Sequence, residues 1–192
     1  CQALADLLTL RERFGTDLPV DAIEGVDHQG QTSLRIARLV LRNAGVERPA
    51  VDAGLPGWCT AFAQRYLEHL AEADTSGWRA APAADGLLEQ LTAAGHHLAL
   101  LTGNPEPMAR ARMERFGLAR FFPAGQGGFG CDAEERPALI DLARARAGNW
   151  PADATVEIGD TARDSSSARQ AGIRSILVGD SGLAAVGPQL LA

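Results

Sequence analysis

The chain of 192 residues is long enough for one medium-sized domain, or for a domain with a modest insert. A hydrophobic fraction of 46% permits a real core, and a net charge of −6 argues against a nucleic-acid-binding protein, which would need a basic stripe. All 18 basic residues are arginine, so a site that needs a cationic side chain must use arginine.

Residues 1–80 have the pattern of helices joined by loops, without the alternation that is typical of strands. The apolar residues of "QALADLLTLRERF" line one face of a predicted helix that ends at Gly15. Two further helical patterns follow, "SLRIARLVLRNAG" and "GWCTAFAQRYLEHLAEA". We therefore predict a helical domain over residues 1–80.

Residues 81–192 alternate between helical and strand-like segments. The predicted helices are "GLLEQLTAAG", "PMARARMERFGL", "EERPALIDLARARAG" and "DSSSARQAG". The predicted strands are "HLALLTGN", "ATVEIGD" and "RSILVGD", and "AGQGGFG" is expected to carry a further short strand. This alternation predicts an α/β fold with a parallel sheet, and the continuous apolar strands predict helices on both faces of it.

The three cysteines, Cys1, Cys59 and Cys131, have no paired spacing, which predicts reduced thiols and an intracellular protein. The sequence has no apolar run of about 18 residues and no signal peptide, so we expect no membrane span and a cytoplasmic location.

Thr102, Gly103 and Asn104 end the first predicted strand of the second domain. In open α/β sheets, ligands bind at the carboxyl ends of the strands. A hydroxyl followed by glycine, just before a helix, presents an O–H and backbone N–H groups to a phosphate. The alternative is that Thr102 only caps the next helix.

Asp160 and Asp164 follow a later predicted strand, four positions apart. Hard cations such as Mg²⁺ take oxygen ligands, and a bound cation would offset the repulsion between the two carboxylates. Alternatively, Asp164 is the N-cap of the next helix and Asp160 is a turn residue. Arg136 opens the helix that precedes this strand, and it is either a solvated charge or a cation that faces the phosphate or the acidic pair.

The order of these motifs resembles the haloacid dehalogenase-like (HAD) hydrolase superfamily, specifically its phosphoglycolate-phosphatase-like branch. The segments that match are "LLTGN", "DAEERPAL" and "GDTARD", and "GQTSLRIARLVL" is similar to the helical cap of this branch. The resemblance covers nearly the whole chain. It implies a Rossmann-like core over residues 81–192, a helical cap domain over residues 1–80, and a Mg²⁺-dependent phosphatase that hydrolyses a small phosphate monoester through an aspartyl-phosphate.

The resemblance also implies a role for each matching residue. Thr102, with Gly103 and Asn104, would bind the phosphate. Arg136, in the place of the family's usual lysine, would steady the phosphoryl group, and Asp160 and Asp164 would bind Mg²⁺. Haloacid dehalogenation needs no cation, so the acidic pair favours phosphate-ester hydrolysis.

Four residues of the predicted cap are candidates for substrate contacts, although a solvated polar turn explains them equally well: His28, Gln31, Thr32 and Arg35. The expected partner is a small phosphate ester, with no nucleic acid and no membrane. The sequence indicates neither the natural substrate nor the oligomeric state.

Proteins of this family begin with a strand ending in Asp-x-Asp, which supplies the nucleophile and the general acid/base. The printed sequence has no such motif, because it opens at Cys1 within the leading predicted helix, and Asp6 and Asp17 follow no strand. Three explanations stand. The chain is a fragment of a longer phosphatase, another segment or partner chain replaces the strand, or the protein is a catalytically inactive binding or scaffold protein with this fold.

Overall fold

The computed structural model of the protein describes residues 9–179 and 182–191. The chain divides into two compact units, each of which combines segments that are distant in sequence. The first unit comprises Cys1–Asp74, Thr102–Ala111 and Phe129–Glu135, and the second comprises Thr75–Leu101, Arg112–Gly128 and Arg136–Ala192. The predicted domain boundary near residue 80 stays a prediction.

The described part of the first unit contains the three helices that the sequence predicts: α1 at residues 9–14, α3 at Ser33–Asn43 and α4 at Arg48–Glu72. It also contains a short helix that the sequence analysis did not predict, α2 at Val20–Glu24. The part of the first predicted helix that carries Leu4, Leu7 and Leu8 lies outside the described residues. Phe14, on the same predicted face, packs against the core of this unit.

Helix α4 is longer than its predicted segment, which begins at Gly57. Proline stands in the first turn of this helix, where its fixed φ favours helix initiation, and Val51 and Leu55 extend the buried face by two turns. Pro56 lies inside the helix without ending it. The core of the unit forms around Trp58 and Phe62, whose rings stack with their centroids 5.1 Å apart.

The second unit contains the helices that follow and the longer strands. Helix α5 spans Ala84–Ala93, α7 spans Arg136–Arg146, α8 spans Ala162–Gln170 and α9 spans Gly187–Leu191. Helix α6, Glu106–Arg115, passes from the first unit into the second. Leu87, Leu91 and Ile176 belong to one buried apolar cluster of this unit, and Leu118 and Phe121 belong to another.

Four short strands are described, in two separate sheets. β1 at Leu101–Thr102 pairs with β2 at Gly128–Phe129, and β3 at Val156–Gly159 pairs with β4 at Arg174–Leu177. The second pair is parallel, with Val156 opposite Arg174 and Gly159 opposite Leu177. The predicted α/β class with parallel strands is therefore confirmed.

The apolar run before β1 forms less strand than the sequence predicts. Only Leu101 and Thr102 of "HLALLTGN" are in a strand, and Leu100 contributes one carbonyl bond to the amide of Gly128, at 2.9 Å. Since strand conformation is stabilised by neighbouring strands, the run stays irregular where no described strand pairs with it.

Cys59 and Cys131 form a disulfide, so the prediction of reduced thiols was wrong for this pair. Cys59 lies on α4 and Cys131 follows β2, and their Cα atoms are 6.0 Å apart. The spacing of 72 residues gave no sign of the bond, because the fold of the first unit brings the two together. Cys1 lies outside the described residues.

No helix in the described ranges combines the length and the apolar character that crossing a membrane requires.

Candidate functional site

Thr102 stands at the end of β1, in a tight turn of the first unit. Its hydroxyl oxygen accepts bonds from the backbone N–H of Asn104, at 3.2 Å, and from the side-chain amide of the same residue, at 3.3 Å. The hydroxyl accepts in both contacts, so its own hydrogen is available to donate. The turn therefore presents a donor that suits an anionic ligand.

Gly103 lies where three segments of the first unit meet. Its carbonyl accepts bonds from the amide of Ser33, at 2.8 Å, and from the Ser33 hydroxyl, at 2.9 Å. A Cβ at Gly103 would overlap the carbonyl oxygen of Gln31, and a Cβ at Gly130 would overlap the carbonyl oxygen of Gly103. Glycine at both positions therefore allows the backbone around Thr102 to pack directly against the start of α3.

The four candidate substrate-binding residues of the predicted cap all have hydrogen-bond or ion-pair partners in the first unit. Thr32 is buried and caps α3, accepting from the amide of Arg35 at 3.1 Å and donating to the carbonyl of Glu134 at 2.7 Å. Arg35 forms an ion pair with Glu135.

The other two candidates contact backbone carbonyls four and five positions earlier in the chain. The side-chain amide of Gln31 donates to the carbonyl of Asp27 at 2.6 Å, and the Nε2 atom of His28 lies 3.3 Å from the carbonyl oxygen of Ile23. A direct role in substrate binding therefore stays a prediction for all four.

Arg136 is the centre of a buried ionic cluster in the second unit. It is the first residue of α7, and its Nη2 atom donates to Asp164 at 2.5 Å and to Glu157 at 3.2 Å. The side chains of Arg136, Glu157 and Asp164 are 11%, 3% and 6% exposed. The alternative that Arg136 is a solvated helix charge is therefore excluded.

The two carboxylate oxygens of Asp164 accept hydrogen bonds from different parts of the second unit. Its Oδ1 atom accepts from Arg136, and its Oδ2 atom accepts from the backbone of Asp160 at 3.2 Å and from the backbone of Thr161 at 2.9 Å. Thr161 and Asp164 form a reciprocal capping box at the start of α8, with Thr161 as the N-cap. A Cβ at Gly159 would lie 2.5 Å from the Asp164 side chain, so glycine there lets the carboxylate reach the end of β3.

Asp160 has a different environment from Asp164. Its backbone is fixed by the bond to Asp164, but its carboxylate is exposed and makes no hydrogen bond or ion pair with any described residue. No cluster of three or more potential metal ligands occurs within residues 9–179 and 182–191. Mg²⁺ does not require such a cluster, because it keeps several waters and often takes only one or two protein carboxylates. Asp160 therefore fits as a Mg²⁺ ligand, whereas a metal at Asp164 would compete with Arg136.

Glu157 is the member of the cluster that the sequence analysis missed. Burial raises the pKa of Glu157, and the neighbouring Arg136 partly opposes this shift. Its Oε2 atom and the Nε atom of Arg136 are both buried without a hydrogen-bond partner in the described structure. The signal in the sequence was a single acidic residue inside the otherwise apolar strand "ATVEIG".

The site residues thus fall into two groups that belong to different units. Thr102, Gly103 and Asn104 lie in the first unit, and Arg136, Asp160 and Asp164 lie in the second. Within the second unit, the predicted basic residue and the predicted acidic pair are joined by hydrogen bonds.

Comparison with solved structures gives two similar chains. One is from Thermotoga maritima and is assigned as a beta-phosphoglucomutase: it is 19% identical, with a TM-score of 0.49, over 96% of this chain and 82% of that one. The other is a HAD hydrolase of family IA, variant 3, from Entamoeba histolytica HM-1:IMSS: it is 14% identical, with a TM-score of 0.54, over 93% of this chain and 76% of that one. The second likeness shows a shared Rossmann-like fold.

No curated protein matches the sequence. The model of one family does match it, over residues 41–178, which is more than half of the chain and includes Thr102, Arg136 and Asp160. That family is described as haloacid dehalogenase-like hydrolase. The chain therefore belongs to the haloacid dehalogenase-like hydrolase family.

Proposed function

We propose that the protein is a Mg²⁺-dependent phosphatase that hydrolyses a small phosphate monoester, with an aspartate nucleophile that lies outside the printed sequence. The observation that carries this proposal is the pairing of a buried Arg136 with the acidic segment after β3, where Asp160 keeps a free carboxylate. Family membership supports a hydrolase, and the phosphate ester is the substrate class that these residues suit best.

Arg136 supplies the positive charge in this proposal. Asp164 and Glu157 hold its Nη2 atom, so the guanidinium is oriented before substrate binds. The Arg136 side chain is only 11% exposed, so its charge lies in a water-poor site. A donor that is fixed in advance in a water-poor site stabilises the charge that develops during phosphoryl transfer.

Asp160 is the residue that we propose to hold Mg²⁺. When bound, the cation would neutralise charge on the phosphoryl oxygens. The backbone N–H of Asp160 donates to Asp164, which fixes the position from which the Asp160 side chain extends. Asp164 contributes mainly by orienting Arg136 and by fixing this turn.

Thr102 is proposed to bind the phosphate through its hydroxyl hydrogen, with the backbone amides at the start of α6. The amides at the start of a helix favour an anion, because they lack partners within the helix. Gly103 holds this turn against α3, so its contribution is to position Thr102.

The first test measures turnover of p-nitrophenyl phosphate by the 192-residue chain, with and without Mg²⁺. If the chain turns over the ester, Asp160→Asn is expected to lower the rate by at least about 100-fold, because a metal-bound carboxylate is lost. Asp153→Asn is the matched control, since Asp153 is an exposed carboxylate in the turn before β3, and it should leave the rate unchanged.

If the 192-residue chain is inactive, a second test uses the same chain preceded by an apolar strand ending in Asp-x-Asp. Activity that appears only in this longer protein, and that disappears with Asp160→Asn, supports a nucleophile outside the printed sequence. Inactivity of both proteins would overturn the proposal and favour a binding or scaffold protein.

A further inference from the structure

The disulfide between Cys59 and Cys131 joins a long helix to a segment that has no regular secondary structure. Cys59 lies on α4, which has 25 residues. Cys131 lies in the 130–135 segment, which runs between β2 and α7 and contains neither helix nor strand. Segments of this kind are the parts of a fold that open most easily, so a covalent bond has a large effect on their motion.

The 130–135 segment also contacts the turn that contains Thr102. The backbone N–H of Gly130 donates to the carbonyl of Asn104 at 2.8 Å, and the carbonyl of Gly130 accepts from the amide of Leu34, on α3, at 3.0 Å. All of these residues belong to the first unit. The position of the segment therefore helps to fix the Thr102 turn and the start of α3.

Contacts that involve no sulfur atom also hold the segment against α3. The hydroxyl of Thr32 donates to the carbonyl of Glu134 at 2.7 Å, and the side chain of Arg38 donates to the side chain of Glu134 at 2.6 Å. Glu135 forms an ion pair with Arg35. Both ion pairs are partly exposed, so each stabilises the segment only weakly. Loss of the disulfide is therefore expected to loosen the segment without unfolding the first unit.

Both cysteines lie where a reductant can reach them. Cys59 and Cys131 are only partly buried, and they pack against the buried core cluster from its edge. Thiol–disulfide exchange requires a thiolate to reach one of the two sulfur atoms, so its rate depends on access. A fully buried disulfide would be reduced only after the chain unfolds, whereas this one is open to reduction in the folded protein.

We propose that the Cys59–Cys131 bond is a redox switch, which a dithiol reduces in the folded protein and whose reduction loosens the 130–135 segment together with the Thr102 turn. One thiolate of the dithiol attacks a sulfur atom of the bond, so the S–S bond breaks, a mixed disulfide forms and the other cysteine leaves as a thiolate. The second thiol of the dithiol then displaces the remaining cysteine. Two electrons and two protons thus pass to the cysteine pair, and the dithiol becomes a disulfide. The reverse reaction, with an oxidised dithiol, restores the bond.

The first experiment asks whether the bond is reduced in the folded chain. The full chain carries Cys1→Ser, which removes the third cysteine, and it is incubated with reduced dithiothreitol without denaturant. Free thiols are blocked with N-ethylmaleimide and counted by intact mass, while far-UV circular dichroism follows the fold. We expect two added maleimide groups at a rate proportional to the dithiothreitol concentration, an unchanged helical spectrum, and recovery of the bond in oxidised dithiothreitol.

The second experiment compares hydrogen exchange in the oxidised and the reduced chain. Reduction is expected to speed exchange of the amides of Leu34, Gly130 and Asp132 at least about tenfold, because their bonds depend on the position of the segment. The amides of Arg174–Leu177 are the internal control, since they lie in the second unit, and they should exchange equally in both states. Cys59→Ala/Cys131→Ala should exchange as the reduced chain does, with or without dithiothreitol.

Three outcomes would overturn the inference. If the bond is reduced only after urea unfolds the chain, it is a permanent brace, as is typical of proteins in oxidising compartments. If reduction leaves exchange in the 130–135 segment unchanged, the bond does not control its motion. If reduction unfolds the whole chain, the bond is required for folding and is not a switch. None of these measurements uses a phosphate ester, so their failure would leave the phosphatase proposal intact.

Discussion

Replacement of Arg136 by methionine tests the physical basis of the ionic cluster. The substitution leaves Glu157 and Asp164 as two carboxylates whose side chains are 3% and 6% exposed, without the guanidinium that they share. Asp164 keeps its bonds to Thr161 and Asp160, but Glu157 has no other described side-chain partner. Most of the loss in the free energy of unfolding is therefore expected to come from Glu157.

The expected loss in the free energy of unfolding is about 3–5 kcal/mol, which is typical when one partner of a buried ion pair is removed. A loss of this size is a large fraction of the stability of a domain, which is about 5–15 kcal/mol. Adding Glu157→Gln to Arg136→Met should restore part of the loss, because the uncompensated buried charge is then gone. Urea unfolding followed by far-UV circular dichroism near neutral pH measures all three proteins.

Arg169→Met is the matched control, because Arg169 is an exposed arginine on α8 with no side-chain partner in the described structure. It should change the free energy of unfolding by less than about 0.5 kcal/mol. If Arg136→Met costs no more than this control, or if Glu157→Gln adds a further loss, then water reaches the cluster and the reasoning from burial is refuted.

Three further changes test other parts of the structure. Gly103→Ala should lower the free energy of unfolding by at least about 1–3 kcal/mol, because the new methyl group meets backbone, whereas Gly86→Ala in α5 meets nothing and should raise it by up to about 1 kcal/mol; chemical denaturation measures both. Reduction of the bond between Cys59 and Cys131 should cost about 4 kcal/mol, the value expected for a loop of 72 residues, in urea titrations with and without reductant. Because burial raises the pKa of Glu157, its contribution to stability falls as pH rises through the ordinary and then the raised pKa. The stability of Glu157→Gln relative to the unmodified chain should therefore increase with pH, in unfolding experiments across the acidic range.

Each of these three predictions has an outcome that would contradict it. Equal effects of alanine at Gly103 and at Gly86 would mean that the backbone around Thr102 has room to move. If reductant destabilises the Cys59→Ala/Cys131→Ala protein as much as the unmodified chain, the disulfide is not the cause. A difference between Glu157→Gln and the unmodified chain that does not vary with pH would show that Glu157 titrates normally.

The longer helices were predictable from sequence because their signals are local, whereas the five-residue helices α2 and α9 were not predicted. The apolar spacing in α3, α5 and α7 and the glycines that follow α3 and α5 are all visible within about a dozen residues. The parallel pairing of β3 and β4 also followed from alternation along the chain. The extent of β1 could not be predicted, because the length of a strand depends on pairing with neighbouring strands, and the local sequence pattern does not identify them.

The candidate site was predictable as motifs but not as contacts. The sequence marks Arg136 and the two aspartates by their positions at the ends of helices and strands. It does not show that the Asp164 carboxylate is already hydrogen-bonded to Arg136 and to the backbone of Asp160, which leaves the Asp160 carboxylate for a metal. Glu157 escaped prediction because nothing in the sequence says that its side chain faces α7 rather than solvent. The disulfide escaped for the same reason, since it depends on tertiary proximity.

The bond between Cys59 and Cys131 has a practical consequence for handling the protein. A protease that cuts the chain once at any point between these two residues produces two pieces that remain covalently joined. Such a nicked molecule would migrate as one intact band in a non-reducing gel and would separate into two only after a thiol is added. Purity judged without reductant would therefore overlook internal cleavage.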